Sequence, residues 1–224
     1  MKITTPLFFC IFILTSAFAE ETMTPDELKK WFYEDEPTPP IQVDEGELVF
    51  LEQLSDKTLL HSINEITIDT DSIDSGWVDL SQCYKNLDPV SEIDIVYSYR
   101  FMRNIKISST VNIGAARVSE KSVVLEHVKE KAELCVTAQA RVFYQNKDGL
   151  FSLVNGPYHR KFLDGYFPFH VTLIINYPEN KLNHIANQPQ EQKGFRIQKE
   201  SNRLLIDAVF AGMLNTEIIF RKNE

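Results

Sequence analysis

Residues 167–177 read Phe167-Pro168-Phe169-His170-Val171-Thr172-Leu173-Ile174-Ile175-Asn176-Tyr177. Large apolar or aromatic groups fall at Phe167, Phe169, Val171, Leu173, Ile175 and Tyr177, every second position. That period, with β-branched and aromatic residues on the repeat, is the signature of a half-buried strand. The same alternation recurs at Ala132, Leu134, Val136, Ala138, Ala140 and Val142, with Cys135, Thr137, Gln139 and Arg141 on the other face. It recurs again at Ile93, Ile95, Tyr97, Tyr99 and Phe101, and at Ile105, Ile107, Ser109, Val111 and Ile113. Shorter runs of strand character lie at 48–54, 58–68, 76–81, 122–128, 149–154, 195–199, 203–210 and 213–220.

No segment between these runs repeats at the 3.6-residue period of a helix. A parallel sheet with helical crossovers is therefore excluded, and an antiparallel β-sandwich of roughly ten to twelve strands is expected. It spans 47–224, as one sandwich or two packed sub-sandwiches. Ala211-Gly212 is read as the turn of a last hairpin. The stretch from Pro178 to Gly194 is polar, carries no strand signal and is read as a long loop.

Ahead of this body stand two segments of different character. Met1 and Lys2, an apolar run from Leu7 to Leu14, and Ala17-Phe18-Ala19 make a signal peptide over 1–19, with cleavage expected after Ala19. Eight apolar residues are too few for a helix crossing ~30 Å of hydrocarbon. The expectation is export to a bacterial periplasm or the extracellular space, with no transmembrane segment in the mature chain. Residues 20–46 form an acidic leader, with a short helix from Pro25 to about Tyr33 and a stiff linker at Pro37-Thr38-Pro39-Pro40.

The 224 residues are 43% hydrophobic and 25% charged, which suits a folded chain and excludes collagen-like, low-complexity and polytopic membrane classes. The formal net charge of −9 is concentrated in the leader, whose acids include Glu20, Glu21, Asp26, Glu27 and Glu34–Glu36. A near-neutral body behind an acidic leader lacks the clustered positive charge that nucleic acid demands. Cys10 leaves with the signal peptide, so Cys83 and Cys135 remain as one expected disulfide.

Four constellations hold residue types that can carry chemistry. Asp69-Thr70-Asp71-Ser72-Ile73-Asp74-Ser75-Gly76 is dense in oxygen ligands, but Asp74 stands where a calcium loop needs Gly and Leu80 where it needs Glu. A polar turn explains it. Asp74-Ser75-Gly76 lacks the framing of a serine nucleophile. The five histidines form no metal-ligand spacing, although Gly165 could fold His159 and His170 into one hairpin. The fourth constellation, Gly156 to His170, interleaves aromatics with cations.

Aromatic faces beside cationic hydrogen-bond donors suit sugars, anionic headgroups or a protein hot spot. Tyr158, His159, Arg160, Lys161, Tyr166 and His170 are the candidate binding residues. Catalytic residues, metal ligands and a cofactor are not assigned. The function expected is a non-enzymatic envelope interaction or assembly-accessory module for a protein or glycan partner. Two rivals stand beside it. One is a periplasmic small-molecule or metal-binding protein using His159, His170 or the Asp69–Asp74 turn. The other is a polysaccharide-acting enzyme with a distributed carboxylate pair.

Overall fold

The computed structural model describes residues 46–52, 59–97, 102–162 and 165–223. The signal peptide, the helix expected before Tyr33, the leader up to residue 45, and Tyr99 and Phe101 of one stripe lie outside the described residues. By contacts the chain divides into Met1–Gln42 and Val43–Glu224, and every described residue belongs to the second unit.

The alternating runs become strands. In chain order they are β1 Val49–Phe50, β2 His61–Thr67, β3 Trp77–Leu87, β4 Glu92–Val96, β5 Met102–Ser119 and β6 Ser122–Arg141. Then follow β7 Phe143–Gln145, β8 Phe151–Tyr158, β9 Lys161–Phe162, β10 Gly165–Tyr166 and β11 Phe169–Asn176. The last four are β12 Leu182–Gln188, β13 Phe195–Glu200, β14 Arg203–Ala211 and β15 Leu214–Lys222. A single turn of helix, α1 Ser72–Ser75, is the one helix among the described residues.

A nine-stranded sheet runs β1-β14-β11-β2-β3-β6-β4, with β13 beside β14 and β5 beside β6. A four-stranded sheet runs β12-β15-β8-β7, and β9 and β10 make a two-stranded ribbon. The fold is all-β and sandwich-like. One apolar cluster joins the two larger sheets: Leu134, Val171, Leu173 and Ile206 come from the first, and Leu153, Leu182, Ile218 and Phe220 from the second. Each such side chain, removed wholly from water, contributes about 1.5–3 kcal/mol before chain entropy is subtracted.

The stripe at 167–177 is the centre of that core. Phe169, Val171, Leu173, Ile175 and Tyr177 are between 0% and 4% exposed, while Phe167 falls before the strand and is 43% exposed. The stripe on β6 is equally regular, with Ala132, Leu134, Val136, Ala138 and Ala140 buried.

Three features differ from the sequence expectation. The pairing of β2 with β11 is parallel, Val171 lying opposite Ser62 and Ile175 opposite Ile66. No helical crossover is needed, because the chain between these strands passes through β3–β6 and the second sheet. The polar stretch 178–194 is not a loop throughout: it contains β12, paired antiparallel with β15. An edge strand with only Leu182 buried has no alternation to read. Finally, Ala211-Gly212 does not close a hairpin. β14 belongs to the nine-stranded sheet and β15 to the four-stranded one, so the turn is an arch between sheets.

Cys83 and Cys135 face each other across β3 and β6, with Cα atoms 4.1 Å apart, and are joined as a disulfide 52 residues apart in sequence. The bridge links neighbouring strands on the side of the sheet opposite the core stripe.

Candidate functional site

Strands β3 and β4 run in sequence along β6, and a short irregular step joins them. β3 pairs with Ala132–Arg141 and β4 with Ser122–Glu126. Between them, the amides of His127 and Val128 donate to the carbonyls of Ser91 and Val90. β2, on the other side of β3, begins only at His61, opposite Lys85. Beyond that point β3 and β4 outrun their neighbour, and a groove of about 540 Å³ opens there.

Its apolar lining includes Leu60, Leu87, Ile93, Ile95, Tyr158 and Phe169. Asp88, Glu92, Asp94, His159, Arg160 and Lys161 supply its charged and polar groups. The wall at 157–161 is delivered by the end of β8. Gly156 sits at φ +114°, and a Cβ there would meet the Leu214 carbonyl oxygen at 2.6 Å, so only glycine lets the chain turn so close to β15. The Gly156–Pro157 peptide is cis.

Arg160 is clamped. Its Nε donates to Asp88 Oδ2 at 3.0 Å, its Nη2 to Asp88 Oδ1, and its Nη1 to the Pro168 carbonyl at 3.4 Å. The guanidinium also lies 5.6 Å from the Phe167 ring centre. A bidentate pair of this kind fixes geometry better than a single exposed ion pair. Arg160 thus ties the end of β8 and the Pro168 carbonyl to Asp88 at the β3–β4 step. Lys161 Nζ lies 5.5 Å from the Tyr166 ring centre, and the His159 ring packs edge-on to Tyr166 at 6.1 Å.

Four of the six sequence candidates, Tyr158, His159, Arg160 and Lys161, therefore line one groove, and Tyr166 packs behind two of them. Tyr158 is only 7% exposed and belongs as much to the core as to the groove. His170 does not join them. Alternation along β11 turns Phe169 into the groove and His170 to the opposite face of the sheet.

There His170 finds partners that the sequence reading missed. Parallel pairing sets it in register with His61, and the two rings stack 3.8 Å apart and nearly parallel, at 5°. His170 Nε2 lies 2.7 Å from Asp207 Oδ1, Thr172 Oγ1 donates to the same oxygen at 3.1 Å, and Arg196 Nη2 donates to Asp207 Oδ2 at 2.8 Å. His61 Nε2 is 2.8 Å from Thr172 Oγ1. Since that hydroxyl gives its proton to Asp207, His61 donates to it as the Nε2–H tautomer.

Burial, the nearby His170 and Lys85 hold the His61 pKa down to about 4, against the pull of Asp207. The hydrogen bond from His170, with those from Arg196 and Thr172, holds Asp207 far below the usual carboxylate range despite its burial. The two imidazole planes are parallel, so their in-plane lone pairs cannot converge on one ion without turning a ring. Among the described residues, no group of three or more His, Cys, Asp or Glu is placed to hold a metal.

The Asp69–Gly76 turn serves the fold. Asp69 Oδ1 accepts from the Ser72 amide at 2.7 Å and from its hydroxyl at 2.9 Å, which closes the polar turn leading into α1. Ser75 Oγ accepts from the Trp77 amide at 3.2 Å.

No family model matches the sequence, and no curated protein matches it. Among solved structures it is similar to the M1 zinc metallopeptidase of Deinococcus radiodurans, at 14% identity and a TM-score of 0.37, over 73% of this chain and 41% of that one. A mutant of that enzyme bound to a Tyr-Ser-Ala substrate gives 13%, 0.38, 73% and 42%. The chain thus spans less than half the length of these structures, and likeness of this size carries no argument about chemistry.

Proposed function

We propose that this chain is an exported, non-enzymatic interaction or assembly-accessory module of the cell envelope, and that its partner is a protein seated in the groove beside β4. The observation that carries the reading is the groove itself, an apolar trough rimmed by charge at the open end of β2. Such a combination suits a partner's apolar anchors inside a polar rim. A glycan is the poorer occupant. Sugars pack on flat exposed rings, and here Tyr158 and Phe169 are 7% and 4% exposed.

Export is supported by the sequence of residues 1–19 and by the disulfide, which persists in oxidising compartments. Among the described residues no helix is long and apolar enough to cross a membrane.

A photo-crosslinking residue at the exposed His159, in protein produced by its own host, tests this reading. The expected result is a discrete protein adduct that is absent when the same residue replaces Lys147 in the 146–149 turn. An adduct that a glycosidase removes, or no adduct at His159, contradicts the proposal.

A further inference from the structure

The edge of β4 that no other described strand pairs with specifies more about the occupant than the groove's shape does. β4 pairs with β6 on one side only among the described residues. The Tyr97 amide donates to the Lys121 carbonyl and the Ser91 carbonyl accepts from the His127 amide, so the odd positions face β6. In an antiparallel ladder the N–H and C=O of one residue point the same way. Glu92, Asp94 and Val96 therefore turn their backbone groups outward, along the edge that β2 leaves uncovered.

The side chains on that strand sort by the same alternation. Ile93 and Ile95 are partly buried against the core, while Glu92, Asp94 and Val96 are exposed, Val96 by 66%. Glu92 sits directly opposite Glu126 on β6. Like charges in that position repel. Arg117 on β5 answers Glu126 from the far side, with Nε 3.8 Å from its carboxylate. The row thus reads cation, carboxylate, carboxylate, and then the open edge. Among the described residues, neither Glu92 nor Asp94 has a cation within ion-pair distance. The nearby Asp88 is already matched by Arg160.

We propose that β4 receives an extended segment of the partner as an added strand. Every second side chain of that segment is apolar and enters the groove beside Ile93 and Ile95. The side chains between are Lys or Arg, and complete the charge row at Glu92 and Asp94. Strand addition of this kind draws affinity from main-chain hydrogen bonds and specificity from alternate side chains. The inference rests on the groove being the partner site, and adds the partner's conformation and charge.

Two capped heptapeptides serve as probes for the mature chain: one alternates lysine and valine, the other glutamate and valine. The lysine peptide is expected to slow amide exchange at Glu92, Asp94 and Val96. At low salt it should bind on the order of tenfold more tightly than the glutamate peptide, two charge pairs being involved. The double variant Glu92→Lys, Asp94→Lys, whose sites are solvent-facing, should reverse that preference with a urea midpoint that does not fall, since the first change relieves the repulsion from Glu126. Equal affinities, binding of neither peptide, or protection along Met102–Ser119 instead of β4 overturns the inference. A host adduct at His159 with no charge preference between peptides defeats strand addition and leaves the groove reading intact. A charge preference without an adduct does the reverse.

Discussion

His61 holds the clearest proton-linked contribution to stability. Its folded pKa is lowered from 6.5 to about 4, so between those values the unfolded chain binds a proton that the folded one refuses. Above pH 6.5 the imidazole is neutral in both states and nothing is lost. As pH falls from there to about 4 the fold weakens, by on the order of 2 kcal/mol after allowance for partial exposure, and then the loss levels off. His61→Gln, which retains a donor for Thr172, should flatten the urea midpoint between pH 6.5 and 4.5. An unchanged slope would remove His61 as the cause. Asp207 acts lower: its stabilisation is present above the ordinary carboxylate pKa and is lost as pH drops below it. The sequence showed five histidines but not this cluster. Its members come from β2, β11, β13 and β14, and the parallel register that stacks His61 on His170 has no local signal.

At the scale of elements, the arch between β14 and β15 shows what a turn signal leaves open. Gly212 was legible as a turn. Which sheets it joins was not, because hairpins and arches both begin with a glycine at positive φ. Gly212 lies at φ +88°, and a Cβ there would collide with the Glu47 carbonyl. Gly212→Ala should therefore cost about 2–4 kcal/mol, read as a lowered urea midpoint. A neutral result would mean that the approach of residue 47 to the arch is not fixed. The three asparagines at positive φ, Asn86, Asn104 and Asn112, carry no comparable signal in the sequence. Each sits where the ladder of β3 or β5 with β6 shifts register, and Asn tolerates that conformation better than most residues. β12 escaped notice for the opposite reason: a polar edge strand buries too little to alternate.

For the whole molecule, period-two patterning was enough for the all-β class, because a sheet that buries one face must alternate. The Cys83–Cys135 pair was legible from the cysteine count and the expectation of export alone. Strand order was not, since β2, β11 and β14 meet across long sequence separations that no local pattern encodes. The residues of the candidate groove were legible in part for the same reason. Residues 158–161 are contiguous and arrive together, whereas Ile93, Ile95 and Asp88 on the facing wall come from 63–73 positions away. We propose that a partner protein of the envelope occupies this groove. Hydrogen exchange on protein recovered gently from its own host, before and after whatever it holds is stripped away, addresses that claim directly. Slower exchange over 84–96 and 157–162 in the recovered form, lost on stripping, is the predicted result. Equal exchange in both forms, or protection confined to the His61–Asp207 face, would contradict it.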